Sequence, residues 1–223
     1  VDLKENDNII KYGAPIGHAK KDIKAGEHIH VQNLKTNLSD VLEYKYEPVE
    51  PVELKSEDDY FMGYVRKNGD VGIRNELWII PTVGCVNNIA TKLAGAASKM
   101  KKGSVEEVVA FPHPYGCSQM SDDQEHTRTI LADLINHPNA GGVLVVSLGC
   151  ENNQLGAFRE LVGGVDPSRV RMFETQKVDG DEIEFGLNEL RSIHDACRND
   201  VRTDVPVSEL RVGLKCGGSD GLS

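Results

Sequence analysis

Four of the five cysteines stand where an apolar run ends and a turn begins. They are Thr82-Val83-Gly84-Cys85, Pro114-Tyr115-Gly116-Cys117, Ser147-Leu148-Gly149-Cys150 and Leu214-Lys215-Cys216-Gly217-Gly218. The intervals between them are 32, 33 and 66 residues, the last being twice 33. One βαβ unit takes roughly 30 residues, so the thiols recur once per strand–helix unit, with one unit skipped. In an open parallel sheet, ligands bind beyond the carboxyl ends of the strands. The spacing therefore predicts four thiols along one rim, mostly just ahead of helix N-termini, where a thiolate is favoured and can ligate metal. The plainer reading is that small cysteines merely pack at strand ends. Cys197 falls late in a helix near Ile193 and reads as core.

Other residue types near these turns carry chemistry as well. Amides follow the first three cysteines: Asn87 and Asn88, Gln119, and Asn152 with Asn153. They can bind hydroxyls of a polar ligand or cap the following helix. His113, between Pro112 and Pro114 ahead of Cys117, suits an acid/base or a ligand. His28 and His30 alternate, so in a strand their rings face one side and can hold a divalent metal; an exposed polar edge would look the same. His126, His137 and His194 lie on or at the end of helices and read as solvent-facing. Arg74 can clamp a substrate carboxylate bidentately, with Asn75 beside it, or form an ion pair. Lys215-Cys216-Gly217-Gly218-Ser219-Asp220-Gly221 can cradle an anion, with Ser219 and Asp220 as its polar side chains; the Gly-Lys-Ser/Thr order of a Walker loop is missing. Asp122, Asp123 and Glu125 sit in a first helical turn, where the helix dipole alone accounts for them.

The elements that must position these groups follow from periodicity. Asn8–Gly13, Pro15–His18 and Glu27–Val31 are β-like pieces, and Asp22–Glu27 is a turn. They predict a small all-β module over residues 1–42. Residues 43–59, rich in Glu and Lys with Pro48 and Pro51, read as a linker. From residue 60 to 223 an α/β domain is expected. Asn68-Gly69 between two apolar runs marks a hairpin. Strands at 77–80, 105–111, 143–148, 170–173 and 211–214 alternate with helices at 86–100, 121–137, 152–162 and 181–198. Apolar strands alternating with helices mean a parallel, Rossmann-like sheet.

Composition bounds the partners. The formal net charge of −10 argues against nucleic acid, whose phosphates need a basic face. No run of about 18 apolar residues occurs, so no membrane span is expected. The first residues carry neither a basic nor an apolar signal region. Five cysteines without an export signal point to a reducing, cytoplasmic setting. A homo-oligomer is compatible with the sequence, which sets no copy number.

The chain resembles the altronate/galactarate dehydratase family. The resemblance rests on Gly-Ala-Pro-Ile-Gly-His-Ala and Ala-Gly-Glu-His-Ile-His-Val-Gln-Asn within residues 13–40, and on Asn68-Gly69-Asp70-Val71-Gly72-Ile73-Arg74-Asn75-Glu76-Leu77-Trp78. It continues in Pro81 through Asn87, Tyr115-Gly116-Cys117-Ser118-Gln119, Leu148-Gly149-Cys150-Glu151-Asn152-Asn153-Gln154 and Cys216 through Ser223. One departure is Gln32, where some relatives carry His. The resemblance implies a β-clip (SAF-type) module ahead of an α/β region, and a chain that continues beyond both ends. It implies removal of water from a sugar acid, altronate to 2-keto-3-deoxygluconate, with Fe²⁺ or Mn²⁺. The alternatives are dehydration of galactarate, within the same family, and the activity of sulfolactate sulfo-lyase, which resembles it and eliminates sulfite instead of water. Also compatible is a reading in which this stretch is a non-catalytic binding or assembly piece.

Such an elimination needs stabilisation of an enediolate and of a leaving hydroxyl. The residues set against it are His113, Cys117 and Arg74 as catalytic groups, and Arg74, Asn75, Asn87, Gln119, Asn153, Ser219 and Asp220 toward the substrate. Cys85, Cys117, Cys150 and Cys216 are expected as metal ligands, with His28 and His30 reaching over from the β module. Thiolates can hold either a single iron or an iron–sulfur cluster.

Overall fold

The computed structural model describes residues 1–37 and 59–215, which fall into two compact units. The expected linker, and Cys216, Ser219 and Asp220, lie outside the described residues.

In the first unit, β1 (Asn8–Lys11) and β2 (Ala14–Ala19) form an antiparallel hairpin. Tyr12 and Gly13 make its turn with φ of +53° and +86°, left-handed geometry that a two-residue hairpin requires. The third strand, β3 (Leu34–Lys35), pairs with β2. The stretch from Glu27 to Val31, expected as a strand, has no strand structure. Ile9, Ala19 and Ile23 are buried here, with Leu3, Ile16, Ile29 and Leu34 packed around them. So few apolar side chains make a thin core.

The second unit opens with β4 (Tyr60–Val65) and β5 (Val71–Gly72), joined by the expected Asn68-Gly69 hairpin; Gly69 has φ +91°. Then follow β6 (Glu76–Pro81), α1 (Asn87–Ala97), β7 (Val108–Ala110), α2 (Ser121–Ile135), β8 (Ala140–Ser147), α3 (Leu155–Val162), β9 (Val170–Glu174) and α4 (Glu182–Cys197). The last strand is β10 (Thr203–Pro206), antiparallel to β4. Residues 211–215, where a parallel strand was expected, have no regular structure.

β6 to β9 form one parallel sheet in the order β7-β6-β8-β9. Alternation along the central strands divides its core into two layers. Leu77 and Ile79 of β6 and Leu144 and Val146 of β8 face Leu93 of α1 and Leu190 and Ile193 of α4. Trp78, Ile80, Val143 and Val145 face Leu131 and Ile135 of α2 and Leu155 and Phe158 of α3. Both faces are covered, which is why these strands read as continuous apolar runs rather than alternating ones. Each fully buried Leu, Ile or Phe contributes about 1.5–3 kcal/mol by leaving water. Cys197 belongs to this core, as the sequence predicts, and burial pushes its thiol pKa up to about 11. Asp181 starts α4 by accepting hydrogen bonds from the Ile183 and Glu184 amides through Oδ1.

The chain leaves β6 toward β7 on one side and returns across β6 to β8 on the other. That reversal makes the C-terminal ends of β6 and β8 the topological switch point, the place where doubly wound sheets bind ligands.

Candidate active site

Cys85, Cys117 and Cys150 follow β6, β7 and β8, all at the C-terminal ends of neighbouring strands. All three are free and exposed. The predicted common rim therefore exists for the three described thiols. Cys85 lies in a single 3-10 turn, Gly84–Val86, that runs directly into α1, whereas α2 begins four residues after Cys117 and α3 five after Cys150.

Asn87, Gln119 and Asn153, beside the thiols, do not cap the helices and spend their side-chain groups on protein partners. Val86, Met120 and Gln154 occupy the N-cap positions without a side-chain cap bond. Asn87 accepts the His113 amide at 3.2 Å and donates to the His113 carbonyl at 2.9 Å. Gln119 accepts from the Gly116 amide and donates to the Asp123 carbonyl and Thr127 Oγ1. Asn153 is fully buried, donates to the Thr82 carbonyl at 3.1 Å, and accepts from Gln124. These three expected substrate ligands instead bind protein groups: Asn87 and Asn153 tie one loop to another, and Gln119 fixes the Cys117 loop to α2. The physical reason is that adjacent loops at the end of a sheet leave backbone groups without ladder partners, and a buried polar group must find one.

His113 is held the same way. Its Nε2 lies 2.8 Å from the Pro81 carbonyl and its Nδ1 accepts the Tyr115 amide at 3.2 Å. The ring thus takes the Nε2–H form with both nitrogens occupied by backbone, which leaves none for the acid/base role expected of it. Gly116 completes the contact between loops. Its φ is +99°, and a Cβ there would collide with the Thr82 carbonyl. Ser118 and Ser121, flanking the next turn, also take positive φ, at 57° and 39°. Non-glycine residues in that region cost free energy and collect at functional sites.

Beneath the rim lies a group to which sequence reasoning assigned no role. Glu151, next to Cys150, is 3% exposed. Its Oε1 accepts from Thr82 Oγ1 at 2.6 Å, Ser147 Oγ at 2.5 Å and the Leu148 amide at 3.1 Å; its Oε2 accepts from the Gly149 amide at 2.6 Å. Burial alone would raise this carboxyl, but the bonds from Ser147, Thr82 and the Gly149 amide outweigh it and hold it below the ordinary carboxylate range. No Lys, Arg or His among the described residues pairs with it. The one signal in sequence was an acidic residue directly after a strand-end cysteine, within Cys150-Glu151-Asn152-Asn153. Gln176, from the segment after β9, donates to Cys150 Sγ at 3.9 Å and so adds a fourth strand end to the rim.

Arg74 and Asn75 lie elsewhere. They precede β6, at the N-terminal end of the sheet, a strand length from the thiols. Arg74 pairs with Glu76 at 2.9 Å. Asn75 is buried, accepts from Arg66, and donates to Ser104 and to the Cys197 carbonyl. Neither can serve a site at the thiol rim of this unit, because β6 separates them from it. A cleft of about 930 Å³ opens at this same end, lined by Arg66, His137, Asp166, Arg169 and Asp200 among others. Its charges are committed to one another: Arg66 and Arg169 to Asp200, and Lys67 to Asp166. Two of the helix histidines depart from or refine the expectation. His194 is buried and accepts the Lys102 amide at 3.2 Å, while His137 packs on Trp78 with ring centroids 5.0 Å apart and planes tilted by 35°.

In the first unit the His28 and His30 rings stack, with centroids 5.8 Å apart and planes 13° from parallel. They do share a side, without a strand to put them there. Gln32 donates to the His28 carbonyl. As metal ligands, thiolates suit iron by softness better than manganese. Among the described residues, however, no group of three or more His, Cys, Asp or Glu converges on one point. The donor types fit a metal, and the arrangement among the described residues does not complete a site. Among the described residues no helix is long and apolar enough to cross a membrane.

A doubly wound parallel sheet with thiols at its switch-point rim, accompanied by a small β unit, defines an α/β protein built to bind a ligand beyond its strand ends. The comparisons agree with that class and narrow it. The family model described as D-galactarate dehydratase/Altronate hydrolase, second domain, matches residues 63–198, and that of the Altronate/galactarate dehydratase SAF domain matches residues 1–37. The chain belongs to this family of dehydratases. It is similar to the altronate dehydratase of Bacillus subtilis (strain 168), at 52% identity over 99% of this chain and 45% of that protein. It is 50% identical to the altronate dehydratase of Escherichia coli (strain K12), over 100% of this chain and 45% of that protein. It is 32% identical to the (2R)-sulfolactate sulfo-lyase subunit beta of Chromohalobacter salexigens, over 73% of this chain and 39% of that subunit. The chain spans about half the length of the curated relatives it matches.

Proposed function

We propose that the protein containing this chain removes water from a sugar acid, with altronate as substrate and 2-keto-3-deoxygluconate as product. The observation that carries the reading is identity of 50–52% with two altronate dehydratases across the whole chain, thiol loops included. In this reaction the C–H bond next to the carboxylate breaks, the neighbouring C–O bond breaks, water leaves, and the resulting enol becomes the ketone. This chain contributes a rim of three exposed thiols, held in place by loops that leave few of their other polar groups free.

A divalent ion on these thiols, iron before manganese, is part of the proposal and rests on donor type alone; such an ion supplies Lewis acidity toward a carboxylate or a leaving hydroxyl. The test is a substrate screen and metal analysis on the complete protein, purified without oxygen. Formation of 2-keto-3-deoxygluconate from altronate is the expected result. Cys117→Ala should lower metal content, and unchanged stoichiometry with full activity would reject that role. An absorption spectrum separates a single ion from an iron–sulfur cluster. The 32% identity to a sulfo-lyase subunit favours a second reading, elimination of sulfite from sulfolactate, and release of sulfite in the same screen would select it. A third outcome, activity in the complete protein and none in residues 1–223 alone, would make this stretch the binding part of the enzyme.

A further inference from the structure

Glu151 is a buried carboxylate beneath three exposed thiols, without a cationic partner among the described residues. It receives four hydrogen bonds from three places: the end of β6 through Thr82, the end of β8 through Ser147, and its own loop through the Leu148 and Gly149 amides. The residue before it is Cys150. Thr82 lies three residues before Cys85, and its carbonyl also receives Asn153, which in turn receives Gln124 from the first turn of α2. The Asn152 amide donates to the Gly116 carbonyl, next to Cys117. One connected polar system therefore runs under all three thiol loops, and Glu151 is where most of its bonds meet.

We propose that Glu151 is the positioning residue of this rim: its carboxylate locks the Cys150 loop to the end of β6 and thereby sets where Cys85 and Cys150 stand relative to each other. The proposal deepens the dehydratase reading and rests on it for its kinetic consequence, although its structural consequence stands apart. Carrying a full negative charge, Glu151 accepts from every donor around it, something no neutral side chain of its size can do. A glutamine is the same shape, but its amide nitrogen would face either the Leu148 or the Gly149 N–H, whichever way it is turned. A donor then opposes a donor, and the loop must move to relieve it.

The experiment uses the complete protein with Glu151→Gln, read in two independent ways. First, peptide-resolved alkylation rates of Cys85 and Cys150 should shift by about fivefold or more, since thiol reactivity follows surroundings and access; Cys197, in the core, should stay protected and so report that the protein is folded. Second, with sugar acid as substrate, kcat should fall by about 10-fold to 100-fold with KM little changed, as expected for reacting groups displaced by a fraction of an ångström. Unchanged alkylation rates at Cys85 and Cys150 overturn the proposal. So does a variant that only melts earlier, with wild-type kcat at temperatures where Cys197 is protected. If Glu151→Gln exposes Cys197, Thr82→Val and Ser147→Ala each remove one hydroxyl while leaving the backbone bonds; a shift in both readouts then supports the proposal, and no shift in either variant overturns it. If the wild-type protein lacks dehydratase activity, the function proposed above fails, and the alkylation rates alone decide the role of Glu151.

Discussion

The two ends of the parallel sheet solve opposite problems with similar residues. At the N-terminal end Asp200 is gripped by two guanidinium groups: Arg169 through both nitrogens at 2.6 Å each, and Arg66 at 2.9 Å. Arg66 also donates to Asn75 and to the Pro138 and Arg74 carbonyls. Burial pushes Arg66 below its usual range, while the hydrogen bond to Asp200 holds Arg169 above it, as unequal grips on one carboxylate would produce. Each of these charges has a partner of opposite sign. At the C-terminal end the buried carboxylate, Glu151, has only neutral donors, and the thiols above it are exposed and free. The first end is closed upon itself and stabilises; the second is organised from below and left open above. Charges satisfied from within have nothing left for a ligand, so the open end carries the functional proposal although a cleft of about 930 Å³ lies at the other.

The sharpest test of that contrast is Asp200→Ala, which strands two guanidinium groups at the junction of β4, β9 and α4. A loss of about 3 kcal/mol is expected, since removing one partner of a buried pair leaves charge uncompensated. Calorimetry or denaturant unfolding measures it, and the activity per folded molecule should be retained. Substituting Cys85 or Cys150 by Ser should reverse the pattern. Stability should stay within about 0.5 kcal/mol, as for exposed positions generally, while metal content and activity of the complete protein fall. Parallel losses at both ends would erase the distinction drawn between them.

Acid should act on the open end. Because the folded Glu151 carboxyl lies below its ordinary value of 4.5, its contribution is present above that value and lost as pH falls through the folded one. Hydrogen exchange at the Leu148 and Gly149 amides should accelerate as pH falls below the ordinary carboxylate range, beyond the intrinsic rate. Unaltered protection down to global unfolding would count against a structural role for the charge. The smallest effect is expected from Arg74→Ala. Its ion pair with Glu76 is solvent-exposed on the arginine side, so both melting temperature and kcat/KM should barely change. A large rise in KM would return Arg74 to the substrate.

Much of the architecture is legible in the sequence because it rests on local period. The apolar runs at 77–80 and 143–148 mark parallel strands, the 33-residue recurrence of cysteine marks the rim, and Asn68-Gly69 marks the hairpin. Two expected strands are absent and two unexpected ones, β3 and β10, are present, for a single reason. Glu27–Val31 has the composition of a strand and no neighbour to pair with. Residues 211–214 likewise read as a strand, whereas Thr203–Pro206, less apolar, found β4. Pairing is a long-range event, and propensity reports only fitness for it.

What the sequence determined on its own was the type and order of the βα units, and with them the side of the sheet on which Cys85, Cys117 and Cys150 emerge, since a parallel strand can end only at one edge. The tertiary structure decided which polar side chains remain free once the loops pack. Asn87, His113, Gln119 and Asn153 read as ligands by type but are consumed by groups of this and neighbouring loops, while Glu151 gathers Thr82, Ser147 and the Leu148 and Gly149 amides. A hydrogen-bonding group does not carry its partner in its name; the partner is whichever unsatisfied donor or acceptor folding brings within about 3 Å, and burial makes leaving it unpaired too costly.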